Sequence, residues 1–150
     1  MSVQHFLVPL DFSASADYAL EYALTLATRL QARLTLLHII YLPRMVEVDI
    51  TPYQDQMEAG AQQAMDAYLK RAQDAGVEAS IAMARGVPFR EIVEMAKAKN
   101  IDLIIMGTHG RTGLQHALLG SVAEKVVRLA PCPVLVTRHI DNAEGRPTSA

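Results

Sequence analysis

The chain alternates between short, continuously apolar runs and longer stretches in which apolar residues recur every three or four positions. The first kind reads as buried parallel strand, the second as helix with one inward face. Gln4 to Leu10 predicts a first strand, ended by Pro9 and the turn residues Asp11-Phe12-Ser13. From Ser15 to Gln31, Ala16, Ala19, Leu20, Ala23, Leu26, Ala27 and Leu30 mark one helical face. Leu34 to Ile40 predicts a second strand, interrupted only by Thr35 and His38. Tyr41 to Gln54, with Pro43 and Pro52 and little periodicity, predicts a long connection. A second helix carries Met57, Ala61, Ala64, Met65, Tyr68, Leu69 and Ala72 on one stripe and stops at Gly76. Val77 to Ala84 predicts a third strand. Pro88-Phe89 opens a third helix with Phe89, Ile92, Val93 and Ala96 facing inward. Asp102 to Met106 is the fourth strand, Ser121 to Ala130 the last helix and Pro133 to Arg138 the fifth strand.

Five strands alternating with four helices imply one α/β domain over residues 3–140, a doubly wound parallel sheet with helices on both faces. The polar stretch 141–150, with Gly145 and Pro147, is expected to fray. In such sheets ligands sit beyond the carboxyl ends of the strands, where the strand order reverses. Strand one delivers Asp11 to that edge. Strand four delivers Gly107-Thr108-His109-Gly110-Arg111-Thr112-Gly113.

That glycine-punctuated loop, running on to a helix opened by Gly120-Ser121, is a recipe for holding phosphate. Glycine lets backbone approach an anion closely or adopt positive φ. A helix N-terminus presents unpaired N–H groups and a partial positive charge. The plainer reading is a flexible turn followed by a helix that Ser121 caps, and Ser121 suits both. The loop is neither a Walker loop, since no lysine precedes Ser121, nor the G-x-G-x-x-G of a first-strand dinucleotide site. Asp11 either starts a turn or serves a ligand, by accepting a ribose hydroxyl or helping to hold a metal-bound phosphate, and an acid facing an anion site favours a ligand role. His109 serves equally as a phosphate contact or a solvated loop residue. His38, within an apolar strand, reads as a satisfied core histidine. Methionines 57, 65, 83, 95 and 106 read as core residues.

Catalytic patterns are thin. There is no G-x-S-x-G elbow, no lysine in the loop to neutralise a transferring phosphoryl group and no zinc-ligand spacing among His5, His116, His139 and Cys132. The sequence reads as a binder, with at most slow ATP hydrolysis. A net charge of −2 supplies no basic field for nucleic acid, and no apolar run is long enough to span a membrane. One cysteine, Cys132, precludes an internal disulfide framework. With 51% hydrophobic and 20% charged residues and no signal-peptide pattern, the expectation is a soluble, cytoplasmic, single-domain protein.

On these residues the chain resembles the universal stress protein family, in its nucleotide-binding branch. That branch carries G-x2-G-x9-G-(S/T), matched by Gly107, Gly110, Gly120 and Ser121. Val8-Pro9-Leu10-Asp11-Phe12-Ser13, Leu37-His38-Ile39, Gly86-Val87-Pro88 and Cys132-Pro133-Val134-Leu135-Val136 match in the same order. The resemblance implies strand order 3-2-1-4-5 and binding of ATP or AMP, with Mg or Mn on the phosphates of ATP. By position, Pro9, Leu10 and Asp11 would line the adenosine and Ile39 would meet adenine. Gly107, Thr108, His109, Gly110, Arg111, Gly113, Gly120, Ser121 and Val122 would hold the ribose and phosphates. It further implies a nucleotide-sensing role in stress response, with an unidentified regulatory protein partner. A homodimer through the last strand is expected both from the resemblance and from the uncharged edge Val134-Leu135-Val136-Thr137. The alternatives are a slow ATPase or adenylyl-transfer enzyme of a related fold and a ligand-free interaction module.

Overall fold

The structure, a computed structural model, describes residues 2–41, 49–109 and 119–138. Within these, strands β1 (His5–Pro9), β2 (Arg33–Ile40), β3 (Ala79–Arg85), β4 (Leu103–Gly107) and β5 (Val134–Thr137) form one parallel sheet in the order β3-β2-β1-β4-β5. Helices α1 (Ala14–Leu30), α2 (Thr51–Asp74), α3 (Pro88–Ala98) and α4 (Ser121–Leu129) make the connections. The doubly wound class follows, as the alternation predicts.

β1 lies at the centre, and Phe6, Leu7 and Val8 are wholly buried. Strand alternation sends Phe6 and Val8 into the layer beneath α1 and α2, with Leu20, Leu36 and Met65. Leu7 goes to the opposite layer, with Leu37, Ile92, Ile104 and Val126. Helix α1 lies close to the sheet because its buried stripe is mostly alanine: Ala16, Ala19, Ala23 and Ala27. Ser13 caps it, its hydroxyl accepting from the Ala16 N–H at 3.1 Å.

Several boundaries differ from the pattern-based reading. Leu24 belongs to the buried face of α1, whereas Leu30 is exposed and Leu26 only half-buried. The connection after β2 ends at residue 50, because Pro52 stands in the first turn of α2, where a missing N–H costs nothing. Met57 is exposed, and only Met65 and Met106 of the core methionines are fully buried. β3 begins two residues later than predicted, after Gly76 (φ 74°) turns the chain out of α2. Gly107 is the last residue of β4, not the first of a loop. Ser121 is the first helical residue and Gly120 the cap. The 141–150 stretch and residues 42–48 of the connection lie outside the described residues.

Candidate functional site

Strand order decides what meets at the carboxyl edge. The chain leaves β1 toward one face and β4 toward the other, and the ends of β2, β1 and β4 stand side by side. A cavity of about 350 Å³ opens there, within the range of small-ligand sites. Moving across the sheet, its wall changes character. At the β2 side it is apolar: Leu37 and Ile39, faced by Pro88 and Ile92 of α3. At the centre stand Pro9, Leu10 and Asp11. At the β4 side come Gly107, Thr108 and His109, followed by Gly120, Ser121 and Val122 at the start of α4. Every sequence-predicted site residue among those described thus lines one cavity. Gly110, Arg111 and Gly113 lie outside the described residues. Sequence reasoning missed Ser13, Ala16, Leu37, Pro88, Ile92, Met106, Leu119 and Ala123. The Gly86-Val87-Pro88 match was a signal for Pro88, but nothing in periodicity says which core residues also wall a cavity.

Two helix N-termini face this space. α1 contributes Ser13 and Ala16, and α4 contributes Ser121, Val122 and Ala123. Among the described residues no side chain caps the start of α4. Its first-turn N–H groups therefore remain as donors for an anion, with the dipole in the same sense. The Ser121 hydroxyl, released from the predicted capping role, is a further donor at the cavity wall.

Close backbone approach, not positive φ, explains both described glycines of the motif. A Cβ on Gly107 would fall 2.8 Å from the Ser15 carbonyl oxygen, where α1 passes over the end of β4. Gly120 has φ −66° and ψ 161°, open to any residue. Its N–H donates to the Thr108 carbonyl at 2.7 Å, and a Cβ would overlap that same oxygen. The Ser15 hydroxyl also reaches the His109 N–H, at 3.5 Å.

Asp11 sits in a tight local network. Its Oδ1 accepts from the Ser13 N–H at 3.0 Å and from the Ser13 hydroxyl at 2.5 Å. This is the turn-forming role an aspartate takes before a helix. Oδ2 makes no hydrogen bond among the described residues, so the carboxylate keeps an acceptor for a ligand hydroxyl. His38 is satisfied, as the sequence suggests: its Nδ1–H donates to the Leu10 carbonyl at 2.6 Å. Its partner is the turn beside Asp11 rather than another core group.

The opposite end of the sheet carries Arg33, Lys99, Glu78 and Asp102 around a surface groove. There Asp102 accepts from the Gln4 and His5 N–H groups at 3.0 and 2.9 Å. His5 Nε2 meets the buried Thr35 hydroxyl at 2.8 Å, while its buried Nδ1 has no hydrogen-bond partner among the described residues. Basic side chains at this end answer the helix C-termini that gather there, which gives the groove a structural reading.

A doubly wound parallel sheet with its cavity at the reversal of strand order, floored by glycines and faced by two helix N-termini, defines a Rossmann-like α/β domain. Comparison with known proteins narrows the class. The universal stress protein family model matches residues 2–138, and the chain belongs to that family. It is 35% identical to universal stress protein MJ0531 of Methanocaldococcus jannaschii, over 88% of this chain and 80% of that one. Universal stress protein UspA from Lactobacillus plantarum superposes with a TM-score of 0.81 at 30% identity, covering 92% and 99% of the two chains. A universal stress protein solved in complex with cAMP matches with a TM-score of 0.68 at 26% identity, covering 92% and 98%.

Proposed function

We propose that this protein binds an adenine nucleotide, ATP or AMP, and works as a nucleotide-sensing regulator in stress response. The observation that carries the reading is the order of chemistry along the cavity. An apolar slot at Ile39 and Pro88 suits a base, the Asp11 carboxylate suits a ribose hydroxyl, and the uncapped start of α4 suits phosphate. That order is the order of parts in a nucleotide. The relative held with cAMP supports it, since cAMP shares the adenosine part.

The reading is of a binder rather than an enzyme with fast turnover. The titratable side chains described at the wall are Asp11 and His109, and one Asp11 oxygen is engaged by Ser13. In this reading Mg or Mn enters with ATP, on its phosphates. The active form in this reading is a cytoplasmic homodimer joined through β5, which passes the nucleotide state to a regulatory protein partner.

Thermal unfolding with ATP, AMP and GTP tests the proposal. A ligand at about 100 times its Kd adds about 2.7 kcal/mol when it binds only the native state. That corresponds to a rise on the order of 5–10 °C in Tm for a domain of this size. ATP or AMP should give such a rise and GTP a smaller one. Equal shifts with ATP and GTP, or none with ATP and AMP, would overturn the reading. Mass spectrometry of small molecules released from the heat-denatured protein identifies the nucleotide, and release of phosphate or pyrophosphate would instead favour the slow enzyme.

A further inference from the structure

The turn that presents Asp11 is built around a residue in an unfavourable conformation. Phe12 has φ 66°, in the left-handed region that glycine or asparagine accepts and a bulky side chain resists. Such strain persists where the surroundings hold it. Here a set of rings does so. The Phe12 ring stacks on the His38 imidazole with centroids 4.3 Å apart and planes 24° apart, and on the Tyr68 ring at 6.1 Å and 7°. Each partner is itself fixed. His38 donates to the Leu10 carbonyl. The Tyr68 phenol, on α2, donates to Asp17 of α1, and the Arg71 guanidinium lies 5.7 Å from the Tyr68 ring centre and pairs with Glu21 of α1. Burial and the Asp17 carboxylate raise the Tyr68 phenol above the ordinary tyrosine value, so it stays a donor at physiological pH.

The residues on both sides of Asp11 are therefore held from three directions. Leu10 is held from β2 and Phe12 from β2 and α2, while Ser13 is locked into the cap of α1. None of Phe12, His38 and Tyr68 lines the cavity. Any influence they have on a ligand must pass through Asp11 and its turn.

We infer that Phe12, stacked on His38 and Tyr68, is a positioning residue that sets the Asp11 carboxylate for a ribose hydroxyl and thereby confers preference for ribonucleotides. The inference rests on the adenine-nucleotide reading above. It goes further in assigning sugar discrimination to rings outside the cavity and in making α2 part of the site's support.

Calorimetric titration of AMP, of ATP and of the 2′-deoxy and 3′-deoxy analogues of each tests it on the wild-type chain, Phe12→Asn and Phe12→Tyr, the comparisons below being read on ATP if AMP does not bind. Asparagine tolerates the left-handed backbone while removing the ring, and tyrosine keeps the ring. The wild type should prefer AMP over at least one deoxy analogue by roughly tenfold or more, as for a hydrogen bond to a charged group. Phe12→Asn should lose most of that preference by weakening AMP while leaving that analogue nearly unchanged, and Phe12→Tyr should restore it. If Phe12→Asn does not fold, Tyr68→Leu removes the same support from α2 and should lower the preference likewise. A variant with reduced Tm but an unchanged preference would overturn the inference, leaving Phe12 a packing residue. So would a wild type that binds AMP and its deoxy analogues equally. A wild type that binds none of them overturns the nucleotide reading as well, which separates the two failures.

Discussion

Gly107 at the end of β4 and Ser15 in the first turn of α1 are in such close contact that no side chain fits between them. A Cβ on Gly107 would lie 2.8 Å from the Ser15 carbonyl oxygen and 2.9 Å from its carbonyl carbon. The contact sets how near the start of α1 comes to the β4 edge, and with it the width of the cavity between the two helix N-termini.

Gly107→Ala should therefore destabilise the fold itself. The obstruction is backbone, which cannot swing aside as a side-chain tip would. Overpacking of this kind costs about 1–3 kcal/mol, or a fall in Tm of roughly 3–10 °C for a chain of this length. Thermal unfolding followed by circular dichroism checks it, and an unchanged Tm would show that α1 moves away freely.

Gly120→Ala should lower stability, since its obstruction is again backbone, and should weaken binding as well. Its backbone angles suit alanine, but the added Cβ meets the Thr108 carbonyl that the Gly120 N–H must reach. Relief requires the start of α4 to shift from the cavity wall. Loss of one hydrogen bond to a charged phosphate weakens AMP by about tenfold, equivalent to about 1.4 kcal/mol. Calorimetry on the folded variant measures this, and wild-type affinity would place the phosphate elsewhere.

The β5 edge gives a position-specific test of the proposed dimer. Ile104 and Thr108 donate to the carbonyls of Pro133 and Thr137, so the odd-numbered residues of β5 turn their backbone groups toward β4. Val134 and Val136 turn theirs outward. Sedimentation equilibrium of the wild type should report twice the 16.4 kDa chain mass. Val134→Pro and Val136→Pro remove outward N–H groups and should shift the equilibrium to monomer, whereas Leu135→Pro should damage the sheet. A dimer indifferent to Val134→Pro and Val136→Pro would have its interface on another surface.

Stability should fall with acidification through the range where an ordinary histidine titrates, partly because of His5. Burial, and then the nearby Arg33 charge, lower its pKa from the model-compound value of 6.5, with Lys99 in the same sense and Asp102 and Glu78 opposing. The folded state thus favours neutral His5, and the unfolded chain takes up the proton first. The contribution is complete above 6.5 and is lost as pH falls from there through the lower folded-state value. Urea unfolding at pH 7.5 and 5.5 should show this loss, and His5→Gln, which keeps a partner for Thr35, should reduce it. An identical pH dependence in His5→Gln would exclude His5 as a source.

The sequence by itself determined the class of fold and the sheet edge at which the cavity opens. Strands as central as β1 are buried on both faces, so Phe6, Leu7 and Val8 must all be apolar, and that run is visible without coordinates. The alternation with helical stripes then forces parallel strands and right-handed crossovers. Asp11, Ile39, Gly107 and Ser121 were legible for the same reason, because each follows or ends an element whose end could be located. Boundaries such as Pro52, read as connection but helical, were not, since proline marks a helix start and a loop equally well.

Tertiary structure decided whatever depends on contacts between residues distant in sequence. Gly107 and Gly120 look alike in the motif, yet one makes room for Ser15 and the other for Thr108. Ser121 reads as a cap, but only the approach of Gly120 to β4 shows that the cap is Gly120 and the serine hydroxyl is free of that role. Phe12 in sequence is one apolar residue in a turn. Its left-handed backbone and its stacking on His38 and Tyr68 exist only after β2 and α2 have packed beside β1, because a local pattern records period and polarity but not which distant ring will be there to hold a strained one.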